Sequence, residues 1–327
     1  MLMTRRRALG MLGGSIATAY AGAGLAQAPA YPSRPIKMVV PFPPGGPADI
    51  IGRTAGQAIT QGLGQPVVLD NRAGASGNIG SDLVAKSPAD GYTLLVGNIA
   101  THAINPHGYK TMPYDAQKDF TPICALIAPL MCLAVHPSVQ ATTVAELIAL
   151  AKRNPKSLSY ASSGLATPHH LAGAQLCQMA GIDMVHIAYR GATPAATDLV
   201  GGQVPVGFIS LATALPFAKA GRMRILAMVE RTRNRILPDT PTVAETVPGF
   251  EMSNWQGLFG PAGLSPAIVN ALHRECARGF NEPATKAQME NQGLGVIVDT
   301  PAHFADFVRQ EDRKWGAFVR GLKLTLE

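Results

Sequence analysis

Charged side chains are few in this sequence, 15% of its 327 residues, and aromatic ones fewer still at 6%. At 47% hydrophobic, the chain carries enough apolar surface for a buried core, so it is neither a disordered polymer nor a collagen-like one. Its length suggests two domains. The formal net charge is +7, from 28 basic and 21 acidic residues. Three of those charges, Arg5, Arg6 and Arg7, belong to a segment expected to be removed, which leaves 25 against 21, or +4. That excess is too small and too scattered for a nucleic-acid surface. Catalytic signatures are missing as well. The sequence has no GxGxxG, no Gly-Lys step to close a phosphate loop, no GxSxG elbow and no HExxH. No metal or other cofactor is expected: His102, His107, His136 and His186 stand apart, and the neighbours His169 and His170 point in different directions on a helix. His170 reads as a packed or rim residue. The scattered acids nominate no acid/base pair, so binding is favoured over turnover.

Residues 1–28 read as an export signal. Arg5–Arg7 form its positive region, a glycine-broken apolar stretch follows, and Ala26-Gln27-Ala28 supplies a small-residue cleavage site. Thr4-Arg5-Arg6-Arg7-Ala8-Leu9 is similar to the twin-arginine pattern. The expected compartment is a periplasm, where a disulfide is permitted. Cys124 and Cys132 are the nearest pair, but the four cysteines lie in apolar contexts and are expected as buried free thiols.

Short apolar runs at 36–40, 67–69, 93–96, 158–161, 185–188, 204–209 and 225–229 predict strands. Helical periodicity at 49–63 and 144–152 falls between them, and 266–281 and 301–322 each begin at a Ser/Thr-Pro step. Strands alternating with helices predict an α/β fold with mixed, mostly parallel sheets. Strand-like crossings near 123–135 and 255–263 divide the chain into one lobe of 31–127 plus 258–327 and another of 128–257, with a two-segment hinge.

The most informative loop follows the first strand. Prolines at 41, 43, 44 and 47 leave only Phe42, Gly45 and Gly46 as backbone donors between them. Pro43 and its neighbours make the loop stiff, and the glycines admit a ligand close to the main chain. Ligands of open α/β sheets bind beyond the carboxyl ends of the strands, at helix N-termini, so a carboxylate is the expected guest. Asp49 suits the helix dipole and would repel an anion placed too near. Two later loops repeat the design: Ser162-Ser163-Gly164 before Thr167-Pro168, and Tyr189-Arg190-Gly191 before Thr193-Pro194. Each reads equally as an anion-facing loop or as ordinary helix capping. Arg190 offers a fork to a carboxylate, or serves in a surface ion pair. Asn98 to Thr101 form a further loop, and His169 is placed to face the cleft.

Several ordered blocks carry a resemblance: YPSRPIKMVVPFPPGGPAD from Tyr31, GQPVVLDNRAGASGNIGSDLVAKSPADGYTLLVGN from Gly64, HAINP from His102, PYDAQKDF from Pro113, YASSG with HHLAG from Tyr160, MVHIAYRGATPAATDLVGGQV from Met184, LPDTPTVAE from Leu237 and WQGLFGPAG from Trp255. Through them the sequence resembles the substrate-binding proteins of tripartite tricarboxylate transporters, the Bug receptor family, from about residue 31 to 315. The resemblance implies a two-lobed periplasmic binding protein of type II. It also implies a small carboxylate held between the lobes by loop backbone and bridging waters, and two integral membrane partners. A monomer is expected. A sensor subunit docking on a membrane kinase is an alternative, and a periplasmic enzyme built on Ser163 and His169 a weaker one. After Gly202-Gln203-Val204, where many relatives carry acids, this chain has Pro205 and Ile209. If that stretch lines the cleft, Ile209 disfavours an amino-acid ligand and leaves a plain organic anion.

Overall fold

The computed structural model describes residues 31–189 and 191–322. The expected signal at 1–28 and Arg190 lie outside the described residues. The first half of the chain runs β1 (Ile36–Val40), α1 (Pro47–Leu63), β2 (Val67–Asn71), α2 (Asn78–Ala85), β3 (Thr93–Asn98), α3 (Asn105–Gly108), β4 (Phe120–Pro129), β5 (Met131–Val135) and α4 (Val144–Arg153). It continues through β6 (Ser159–Ser162), α5 (Pro168–Ala180), β7 (Val185–Ala188), α6 (Ala192–Val200), β8 (Val206–Ser210), α7 (Leu211–Lys219) and β9 (Arg224–Met228). Last come β10 (Gln256–Pro261), α8 (Pro266–Asn281), α9 (Pro283–Asn291), β11 (Leu294–Val296) and α10 (Pro301–Gly321).

These strands form two sheets, ordered β11-β4-β10-β3-β1-β2 and β7-β6-β8-β5-β9. Both are mixed. β1 is parallel to β2 and β3, and β6 is parallel to β7 and β8. The other five pairings are antiparallel, which corrects the expectation of mostly parallel sheets. The physical reason is the return path: β10 comes back into the first sheet between β3 and β4 and runs against both.

Helices cover both faces of the central strands, so their runs are mostly hydrophobic rather than alternating, the exposed Lys37 of β1 aside. In β1, Ile36, Met38 and Val40 join one apolar cluster and Val39 another. In β5, Met131, Leu133 and Val135 face one way while Cys132 and Ala134 face the other. The helix starts follow the sequence signals. Thr143, Thr167, Ser210, Ser265 and Thr300 each cap a helix through the side-chain oxygen, and Pro stands in the first turn of α5, α8 and α10. One expected cap is corrected. α6 begins at Ala192, with Gly191 as its uncapped N-cap, so Thr193 lies inside the helix. The four cysteines are unpaired; three are buried and Cys177 is half-buried.

The registers fix how the sheets meet. Gln256 at the start of β10 pairs with Asn98 at the end of β3 and with Ile127 near the end of β4. The chain then leaves the first sheet at Pro129 and enters the second at Met131, which pairs with Ser210, the last residue of β8. The carboxyl ends of β1, β2, β3, β6, β7 and β8 therefore all lie at the edge where the chain crosses. The second connection also runs there: Val229 N–H donates to Met131 O, Met252 N–H to Val229 O, and Ile99 N–H to Trp255 O.

Candidate ligand-binding site

In the first sheet the chain goes from β1 to β2 on one side and then crosses to β3 on the other. The second sheet does the same with β6, β7 and β8. The crevices of such sheets open where the order reverses, between β1 and β3 and between β6 and β8. Both reversals face the crossing at 129–131.

The first crevice is lined by three loops. In the β1–α1 loop, Phe42 is half-buried and Pro43 and Gly45 are exposed. Asp49 braces this loop. Its Oδ2 accepts from Gly45 N–H at 3.1 Å and from Arg53 at 3.0 Å, and its Oδ1 accepts from Asn71 Nδ2 at 3.1 Å. Burial raises the Asp49 pKa, but these donors outweigh it and leave the carboxyl below its ordinary value. Asp49 is therefore buried and bonded within its own loop, which it organises. Gly45 N–H is engaged by Asp49, which leaves Gly46 N–H as the loop's glycine donor.

The β3 loop holds Asn98 and Thr101. Thr101 is fully buried and closed on its neighbours: its hydroxyl accepts from Asn98 N–H at 3.0 Å and lies 2.8 Å from His102 Nδ1. Its hydroxyl is thus taken up by the corner it forms. Asn98 Oδ1 accepts from Thr101 N–H, while its Nδ2 has no partner among the described residues and is not sealed in the core.

The third loop, between β2 and α2, was not singled out by the loop reading. Its Ala75 and Ser76 have φ of 46° and 53°, a left-handed backbone that costs about 1–3 kcal/mol per residue outside glycine. Asn105 Nδ2 donates to Ser76 O and to Asn78 Oδ1, which holds the turn in place. Gly77 packs the three loops together: a Cβ on it would lie 2.7 Å from Thr101 Cγ2 and 3.1 Å from Phe42 Cζ. Only the glycines and small residues around Gly77 signalled this loop.

In the second sheet, the β6 loop is knitted to the β7 loop, with the Gly164 backbone packed near Tyr189 O. Ser162 is fully buried; its Oγ lies 2.7 Å from His186 Nε2 and bonds Gly164 on both sides. Thr167 Oγ1 donates to Gly164 O at 2.7 Å and caps α5. Of the two readings open for these hydroxyls, anion-facing or capping, the geometry shows both engaged locally, as short polar side chains tend to be. Ser163 is half-exposed, and its Oγ lies 2.7 Å from His169 Nδ1. His169 itself is buried, which corrects its expected place on the cleft wall. Its Nε2 meets no carboxylate among the described residues, so none of them completes a triad. Tyr189 donates through its hydroxyl to Asp198 at 2.8 Å; burial first, and then this acid, push the phenol up to about 12. Gly191 is half-buried beside it.

Ile209 is corrected by one position. It is 1% exposed and sits in the apolar cluster with Cys132, Leu211 and Met228, so it faces the core. Successive strand residues point to opposite sides, and the strand-end residue is Ser210, half-exposed, capping α7 and pairing with Met131. Among the described residues, no three His, Cys, Asp or Glu side chains gather as a metal site. His170 and His186 stack face to face at 3.9 Å. No described helix is long and apolar enough to cross a membrane.

Two α/β sheets that turn their loop-bearing strand ends to one crossing have the architecture of a ligand-binding protein with its crevice at the strand ends. The chain belongs to the tripartite tricarboxylate transporter family of receptors, whose family model matches residues 51–324. Solved structures agree. A Rhodopseudomonas palustris protein solved with adipate is 33% identical, with a TM-score of 0.79 over 90% of this chain and 99% of that one. The periplasmic binding protein BugD is 29% identical, with a TM-score of 0.75 over 91% and 100% of the two chains. MatC from Rhodopseudomonas palustris, solved with malate, is 28% identical, with a TM-score of 0.75 over 88% and 100%. Family and neighbours are binding proteins of the periplasm, and this chain is a receptor and not an enzyme.

Proposed function

We propose that the chain takes up a small organic carboxylate in the space between its two sheets and delivers it to the integral membrane subunits of a tripartite tricarboxylate-type transporter. We assign residues 31–129 and 256–322 to one lobe and the stretch between them to the other, because Ala128, Pro129, Gln256 and Gly257 pair within the first sheet and move the expected boundaries at 127/128 and 257/258 outward by about two residues; 1–28 is a cleavable export signal. The observation that carries this reading is the shared orientation of the strand ends, with six loop-bearing ends gathered at the 129–131 crossing. The donors are Gly46 N–H, Asn98 Nδ2 and the turn at 74–77 on the first lobe. Ser163 and the loop at 189–191, Arg190 included, complete them on the second. Oriented N–H and O–H groups suit a carboxylate because each charge-assisted bond contributes ~1.5–3 kcal/mol. The related proteins solved with adipate and malate support a plain di-acid. Ile209, being core, says nothing about an amine.

The test is a thermal-shift screen with adipate, succinate, malate, citrate, benzoate, aspartate and glutamate. An acid present at ~100 times its dissociation constant adds about 2.7 kcal/mol and raises the midpoint. A response to aspartate or glutamate alone would reject the plain-acid reading; silence toward every acid would reject the receptor site.

A further inference from the structure

The loop after β6 carries Ser162, Ser163 and Thr167, and only one of their hydroxyls is left for a ligand. Ser162 and Thr167 are closed on Gly164. Ser163 is half-exposed with a single partner, His169 Nδ1. That histidine stands in the first turn of α5, 9% exposed, and its Nε2 is sealed from solvent with no partner among the described residues.

A neutral imidazole carries one proton, and its position decides what Ser163 can do. With the proton on Nε2, a donor is buried unpaired. Nδ1 then takes the serine's only proton, and lone pairs alone face an anion. A proton on Nδ1 donates to Ser163 Oγ instead, and only an acceptor is left unpaired, the less costly orphan of the two. The hydroxyl proton then turns outward. Burial keeps the ring neutral, holding its pKa down to about 4.

We propose that His169 is a positioning residue: as the Nδ1–H tautomer it holds the Ser163 oxygen so that the hydroxyl proton points to the carboxylate bound at the crossing. This deepens the receptor reading and rests on it for the identity of the guest. His169 acts through Ser163 without touching the ligand, unlike a capping or core histidine, whose tautomer would not matter for binding.

Two measurements test it. Long-range proton–nitrogen spectra of the ligand-free protein with 15N-labelled histidine, at pH 7, read the tautomer directly, with the His169 pattern identified by its loss in His169→Asn. A proton on Nδ1 is expected; a ring protonated on Nε2, or on both nitrogens, overturns the proposal whatever the protein binds. Calorimetric titration with adipate reads the consequence. Ser163→Ala is expected to weaken binding about tenfold or more, His169→Leu by a similar factor, and the double variant no further. His169→Asn, whose amide nitrogen can stand where Nδ1 stands, is expected to restore affinity to within about threefold of wild type. Unchanged affinity in His169→Leu, or no rescue by Asn, overturns the positioning role. A wild-type protein silent to adipate and to every other acid sinks the receptor reading instead, and the tautomer is still decided by the spectra.

Discussion

Gly46 gives the cleanest test of where the ligand sits. Its φ of −85° and ψ of 173° are extended backbone that any residue adopts. A Cβ built there meets nothing nearer than Pro43 O at 3.9 Å, so Gly46→Val does not clash with the folded chain. Gly46 is also the N-cap of α1, where Val is disfavoured by about 1 kcal/mol, a cost offset in part by the roughly 0.4–1 kcal/mol from the lost freedom of glycine in the unfolded state, so the net effect on stability is expected to stay within about 1 kcal/mol. A ligand drawn to Gly46 N–H would meet the branched side chain at once. Losing one charge-assisted bond of ~1.5–3 kcal/mol weakens binding roughly 10- to 100-fold. Gly45→Val is the control. Gly45 has a φ of 83°, so any side chain strains the loop by about 1–3 kcal/mol whether or not a ligand is present. Urea unfolding of both variants, beside calorimetry with whichever acid gives the largest thermal shift, separates the effects. Full affinity in Gly46→Val would mean the loop only aims α1, and the main-chain reading of the site would be wrong.

Other groups give independent checks. Glu230 Oε1 accepts from Met131 N–H at 2.7 Å at the crossing while Oε2 is buried with no partner among the described residues, and burial pushes its pKa up to about 7. The folded chain thus holds this proton more tightly than the unfolded one, so stability falls as pH rises from about 4.5 to 7 and is flat above. Glu230→Gln should remove that slope and be more stable than wild type by on the order of 2 kcal/mol at pH 8, and by little at pH 5, in urea midpoints. Asp49 has the opposite sign: its lowered pKa stabilises the fold above the ordinary carboxylate range, and the benefit fades as pH falls through the folded value. Asp49→Asn should cost about 1–2 kcal/mol at pH 7 and less at pH 3. Burial raises the pKa of all four thiols, so a disulfide-exchange reagent should meet half-buried Cys177 first and the other three only on unfolding. Fewer than four thiols in the unfolded, unreduced protein would show a disulfide.

The strands were legible because central strands buried on both faces write themselves as continuous apolar runs. β1 and β7 fall where the pattern puts them, and β2, β3, β6, β8 and β9 within about two residues. β11 was not legible, since three residues carry no period. β4 and β10 looked like crossings, and each is both a crossing and a member of the first sheet. Direction was the harder property: a hydrophobic run reads the same either way along the chain, so nothing in 256–261 announced that β10 runs against β3.

Loop positions were legible and donors were not. Ser162 ends β6, Thr101 follows β3 and Thr167 caps α5, yet each hydroxyl closes on backbone or a side chain within its own segment or on the neighbouring strand. Composition cannot distinguish a hydroxyl that faces a guest from one that satisfies its own turn, because both need the same residue at the same place. The decision is made by what lies across the loop: His186 on β7 for Ser162, Gly164 for Thr167, and a buried His169 for Ser163. The crossing itself adds a mechanical consequence. Leu130 N–H donates to Gly293 O on the first-sheet side, and Leu130 O accepts from Leu211 N–H on the second. A residue bonded to both halves leaves few free dihedrals, so a closing of the halves on a ligand would be a rotation about a short tether. Loops placed beside that tether travel a short arc, and a ligand would shift the balance between open and closed forms only by the difference in its affinity for them.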